Sequence, residues 1–115
     1  MRTVKIWVDD VRALPVGYDV CLKSVNSVLG YLCNNVVGLA MAGNEPLTVL
    51  LDLDHDAGDF VSDGGDYIKI LDWLEFSDFV SKNPQITFEI SVHSANPVGR
   101  ANMVRIVRKN GWRLL

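Results

Sequence analysis

Three apolar runs in this chain each stop at residues able to do chemistry. Val4 to Val8 ends in Asp9-Asp10, and Ile86 to Val92 ends in His93-Ser94-Ala95-Asn96-Pro97. The richest is Leu50-Leu51-Asp52-Leu53-Asp54-His55-Asp56-Ala57-Gly58-Asp59, an apolar run that breaks into four carboxylates and an imidazole. If the runs are neighbouring parallel strands, their C-terminal ends share one sheet edge, where ligands bind in open α/β sheets. Asp9, Asp10 and Asp52 then supply the oxygen donors that a hard divalent cation such as Mg²⁺ or Mn²⁺ requires, with Asp54 and Asp56 shaping its surroundings. Crowded carboxylates repel one another unless they are protonated, solvated or metal-bound. His55 and His93 titrate near neutrality and can serve as general base and general acid. Ser94 lacks a Gly-x-Ser-x-Gly elbow and reads as a hydroxyl donor rather than a nucleophile. Asn96 and Arg100 stand at a helix start, where free amides and a cation attract anions.

The spacing Asp52-x-Asp54-x-Asp56 imitates a calcium loop. Ala57 stands where that loop needs glycine, Asp63 replaces the bidentate glutamate, and a strand precedes it, so an EF-hand is set aside.

The elements that must position these groups fit a chain of 115 residues, read as one domain over residues 1–115. With 49% hydrophobic and 22% charged residues, the composition is that of a packed globule. No apolar segment is expected to reach the roughly 18 residues of a membrane helix, and a strand-like N-terminus leaves no room for a signal peptide. Cys21 and Cys33 lie among apolar residues and read as buried, reduced thiols of a cytoplasmic protein. The net charge of −3 is unevenly spread. Six aspartates lie between Asp52 and Asp66, while Arg100, Arg105, Arg108, Lys109 and Arg113 follow the last acid, Glu89. Trp7, Trp73 and Trp112 fall on strand or helix patterns and read as core.

Strands are expected at Val4–Val8, Tyr18–Lys23, Leu47–Leu53, Ile86–Val92 and Trp112–Leu115. A helix capped by Ser24 carries Val25, Val28, Leu29, Leu32 and Val36 on one stripe, and turn chemistry at Gly43-Asn44-Glu45-Pro46 ends it. A second helix presents Tyr67, Ile70, Leu71 and Leu74 and breaks at Asn83-Pro84. A third runs from Pro97 to Asn110, bracketed by Asn96-Pro97 and Asn110-Gly111. Strands alternating with helices imply a parallel sheet covered on both faces. The segment from Asp10 to Gly17 is too short for a crossover helix and reads as an extended loop.

These residues resemble a receiver domain. An acidic pair ends strand one, Asp52 matches the phosphoacceptor at the end of strand three, and Ser94 before Ala95 matches the hydroxyl after strand four. The resemblance implies a flavodoxin-like, doubly wound parallel sheet of order 2-1-3-4-5, here lacking the first crossover helix. The lysine that follows strand five in receivers has no counterpart before Leu115. The details are more similar to the cyclic-phosphate-processing receiver-like domains. They share Trp7-Val8-Asp9-Asp10-x-Arg12, Leu51-Asp52-x-Asp54-His55-Asp56-x-Gly58-Asp59 and His93-Ser94-x-Asn96-Pro97-x-Gly99-x-x-Asn102-Met103.

That resemblance implies metal-assisted binding, extending to hydrolysis, of a cyclic phosphodiester such as a 2′,3′-cyclic phosphate on a nucleotide or RNA end. Asp9, Asp10 and Asp52 would hold the metal. His55 and His93 would flank one phosphate and move protons, with Asp52 beside them, while Ser94, Asn96 and Arg100 hold phosphate oxygens. A non-enzymatic signalling module phosphorylated at Asp52 and a small phosphatase with Asp52 as nucleophile are the rival readings. No membrane partner is expected, and no protein partner is indicated.

Overall fold

The computed structural model describes residues 2–43 and 45–115. Mostly apolar runs form five strands: β1 (Arg2–Val8), β2 (Val20–Leu22), β3 (Leu47–Leu53), β4 (Ile86–Val92) and β5 (Arg113–Leu114). They pair entirely in parallel in the order β2-β1-β3-β4-β5. This is the expected receiver-type topology. β3 lies at the centre and is buried at every residue.

The connections are α1 (Val25–Tyr31), a π-helical segment (Leu32–Val36) and α2 (Val37–Ala42) before β3. Next come a 3₁₀ turn (Gly58–Phe60), α3 (Ile68–Phe76) and α4 (Phe79–Lys82) before β4, and α5 (Pro97–Asn110) before β5. Ser24 and Ser27 form a reciprocal capping box on α1. Asn96 accepts the Gly99 N–H at the start of α5, and Gly111 ends that helix at φ +71°.

Handedness distributes these helices. The steps β2→β3, β3→β4 and β4→β5 all cross the sheet in the same direction, so right-handed crossovers put their helices on one face. The core contains Ile6, Leu51 and Ile90 from that face, with Val28, Leu71 and Met103 from the helices. Only β1→β2 steps the other way, and residues 9–19 make that connection as a loop. The opposite face therefore has no helix among the described residues. It alternates out as Thr3 and Lys5 on β1 and Thr87 on β4, all exposed, with Trp7 and Leu50 buried between strands. The both-faces expectation thus meets a one-sided layer, and the missing crossover helix is the physical reason.

Other differences are local. The run Val25–Ala42 is 18 residues with mean hydropathy 1.3, long and apolar enough to cross a membrane, contrary to the expectation that no segment reaches that length. Here its stripe Val25, Val28, Leu32, Val36 and Ala40 packs into the core. The π turn absorbs the register drift of so long a stripe, and it turns Cys33 outward, so that thiol is exposed and Cys21 is half-buried. Of the turn expected at 43–46, Asn44 lies outside the described residues. Trp73 and Trp112 are half-buried at the edge of the core.

Candidate functional site

Register places the chemistry. Trp7 pairs with Cys21 and Asp52, and Asp52 pairs with Ser91. One rank on, Asp54 donates its N–H to Val8 O and His93 donates to Leu53 O, both at 2.9 Å, so the ladder continues past the strand ends. Because side chains alternate, Trp7 with Asp9, Asp52 with Asp54 and Ser91 with His93 all belong to the helix-free side of the sheet. The loop 9–19 closes over them.

Asp9 is fully buried. Its Oδ1 accepts the N–H groups of Val11 and Arg12, each at 2.9 Å. Its Oδ2 accepts Arg12 Nη1 at 2.9 Å and faces His93 Nε2 at 2.8 Å. Burial alone would raise its pKa, but the Arg12 N–H and guanidinium, the Val11 N–H and His93 together hold it well below the carboxylate range. Arg12 Nη1 also reaches Asp54 Oδ2 at 3.1 Å. Asp54 Oδ1 accepts the N–H of His55 at 2.8 Å.

His93 is the hub. Its Nδ1 lies 2.7 Å from Asp52 Oδ1, its Nε2 on Asp9, and its ring stacks on Trp7 at 3.9 Å between centroids and 4° between planes. Two ionised carboxylates only accept, so this geometry favours the doubly protonated imidazolium at His93. Burial pushes its pKa down, yet Asp52 and Asp9 outweigh that and raise it. The other oxygen of Asp52 accepts the Tyr18 hydroxyl. Burial raises the Asp52 pKa, but hydrogen bonds from His93 and Tyr18 bring it below normal. Burial, that bond and the charge of Asp52 push Tyr18 up to about 12.

Ligand atoms of Asp9, Asp10 and Asp54 lie within 4.8 Å of one another. An all-carboxylate set of this size suits a hard cation. The Arg12 guanidinium, bridging two of the three, already shows that the position takes positive charge. The Asp10 carboxylate rests on Gly58 (φ +55°), where a Cβ would run into its oxygen. Asp52, expected as a ligand, stands one hydrogen bond away, behind His93. It is Asp54, one rank further on, that stands level with the acidic pair.

His55, Asp56 and Asp66 form a separate group within the same span. His55 Nδ1 lies 2.7 Å from Asp56 Oδ1, and its ring lies so close to α5 that a Cβ on Gly99 would fall 2.5 Å from it. Asp66 Oδ1 is engaged by the N–H of Ala57. The two histidines, expected around one phosphate, thus occupy different clusters. Ser94 Oγ accepts the Asn96 N–H and Asn96 Oδ1 accepts the Gly99 N–H, each at 3.0 Å, so both oxygens help build the start of α5. Arg100 is exposed on its first turn.

Tyr18, in the loop that replaces the crossover helix, carries no local sequence signal, and Trp7 reads from its strand pattern as plain core. A signal existed for Trp7: it sits two residues before Asp9, and therefore on the same side of the strand.

A family model described as the cyclic-phosphate processing receiver domain matches residues 4–109, nearly the whole chain. No curated protein and no solved structure matches the chain significantly.

Proposed function

The chain belongs to the cyclic-phosphate processing receiver family, and from that premise we propose that it binds a cyclic phosphodiester beside a divalent cation and opens the ring by hydrolysis. The observation that carries this reading is the convergence of Asp9, Asp10 and Asp54 at one strand edge, with the Arg12 guanidinium bridging Asp9 and Asp54. Mg²⁺ or Mn²⁺ bound there would supply Lewis-acid neutralisation of a phosphate oxygen.

The residues divide the remaining work. Asp9, buried and held ionised by four donors, is the fixed anion of the site. His93, with both nitrogens on carboxylates, has no lone pair to offer as a base. Its role is to orient Asp9 and Asp52 and to balance their charge, with Trp7 holding its plane. His55 is the better general base: Asp56 fixes one nitrogen and the ring edge is partly exposed, the pairing by which a carboxylate orients an imidazole for proton transfer. Arg100, on the helix turn beside that ring, would meet a phosphate oxygen. With one base and one structural cation in place of the two-histidine acid–base pair, the proton that His55 takes from the attacking water passes on to the departing ribose oxygen.

The test is product analysis of adenosine 2′,3′-cyclic phosphate incubated with the protein and Mn²⁺ or with chelator. His55→Ala should lower turnover by about 10²–10⁴-fold while the ligand still binds. A wild type that binds without turnover sinks the hydrolytic part and leaves a sensor. Unchanged turnover in His55→Ala sinks the assignment of the base.

A further inference from the structure

Past the last paired rank of β2, β1, β3 and β4, each of these four strands delivers one residue to the site side. Leu22 pairs with Val8, Val8 with Leu53 and Leu53 with Val92. The next residues are Lys23, Asp9, Asp54 and His93. Asp9, Asp54 and His93 are already assigned above. Lys23 holds the same register position on β2 and has no role in that account.

Its backbone is fixed. The fully buried Tyr67 donates its hydroxyl to Lys23 O at 2.7 Å, and Ser24, the next residue, is the buried cap of α1. The side chain reaches back over the acidic edge. Nζ lies 3.2 Å from the Asp10 carbonyl and 5.9 Å from the centroid of the Phe60 ring. Phe60 stands two residues after Gly58, which supports the Asp10 carboxylate, so backbone carbonyl and ring hold the ammonium beside the proposed cation site. The other cations here are committed: Arg12 to Asp9 and Asp54, His93 to Asp9 and Asp52. Among the described residues Lys23 meets a carbonyl and a ring but no carboxylate, and an ammonium has three donors. A cation kept in place by neutral partners at an acidic edge keeps its charge for an incoming anion.

We propose that Lys23 is the phosphate-neutralising cation of this site, its ammonium donating to a phosphate oxygen of a ligand held at Asp9, Asp10 and Asp54. This rests on the phosphate-binding reading above and adds the residue that recognises the anion. Phe60 positions the ammonium through the ring face. Any phosphate in that place, cyclic or open, meets the same group.

The experiment is calorimetric titration of the Mn²⁺-loaded full chain with adenosine 2′,3′-cyclic phosphate and, separately, adenosine 5′-monophosphate. Wild type is compared with Lys23→Ala and Lys23→Arg at two ionic strengths. Losing a charge-assisted hydrogen bond should weaken binding about tenfold in Lys23→Ala and flatten the salt dependence, with Lys23→Arg restoring most of both. Mn²⁺ affinity without nucleotide should not fall in Lys23→Ala, since a neighbouring cation has been removed. Equal affinity of wild type and Lys23→Ala for the cyclic ligand overturns the role of Lys23 and leaves the cyclic-phosphate reading intact. Lysine-dependent binding of the monophosphate alone supports Lys23 and overturns that reading. Binding of neither ligand by the wild type overturns both.

Discussion

Gly58→Ala isolates the support beneath the acidic cluster. At this position a methyl group meets two obstacles. The backbone sits at φ +55°, and the Cβ would lie 3.1 Å from Asp10 Cγ and inside the contact distance of its carboxylate oxygen. The first costs about 1–2 kcal/mol for a residue with a side chain in the left-handed region. The second is relieved by moving the half-buried Asp10 carboxylate, which costs little stability but takes one of the three proposed oxygen ligands from its place. Gly17 provides the matched control, with φ +93° and nothing within 4 Å of its Cβ. Gly17→Ala should carry the same kind of backbone strain and nothing else. Both variants should therefore melt about 4–8 °C below wild type when metal-free. They should part in Mn²⁺ titration, with Gly58→Ala weaker by about 10–100-fold, the usual cost of disturbing a ligand's support, and Gly17→Ala unchanged. Equal Mn²⁺ affinity for the two would show that Asp10 does not bind the cation from its observed position.

His93→Phe keeps a ring on Trp7 but removes both N–H donors; in chelated protein it should cost about 2 kcal/mol near pH 6. Folding raises the His93 pKa, so that contribution is whole below its unfolded value of 6.5 and is lost as pH rises through the folded one. Tyr18, pushed up to about 12, stays protonated as pH rises through neutrality, and a deficit that does not shrink along that rise contradicts an imidazolium here. Gly99→Ala should displace the His55 ring, lowering turnover with Mn²⁺ affinity intact; unchanged turnover would remove His55 from the chemistry. Acetyl phosphate should leave Asp52 unmodified in mass spectrometry, because Tyr18 and His93 occupy its oxygens, and a stoichiometric adduct there would favour the signalling reading.

The strands and long helices were legible because their signals are local. β4 alternates buried and less buried residues, and α5 is bracketed by Asn96-Pro97 and Gly111. The pooling of Asp9, Asp54 and His93 was legible too, since parallel strands must bring their C-terminal ends to one edge. The choice between Asp52 and Asp54 was not. It depends on which residue of β3 lies level with Val8, a long-range register that no local pattern encodes. Nor was the partnership of His93 with two carboxylates, because the chain distances involved are 41 and 84 residues. The loop 9–19 read as a deficit relative to a receiver, a crossover without its helix. In the fold it contributes Arg12 and Tyr18 to the site.

A cation at Asp9, Asp10 and Asp54 would make this edge a cyclic-phosphate site. The most direct measurement is the binding of adenosine 2′,3′-cyclic phosphate by calorimetry to wild type and Asp54→Asn, each with Mn²⁺ and with chelator. Binding to the wild type should require Mn²⁺, and Asp54→Asn should lose the Mn²⁺ dependence with the ligand affinity. Tight binding that persists in chelator, or that survives Asp54→Asn unchanged, would contradict it.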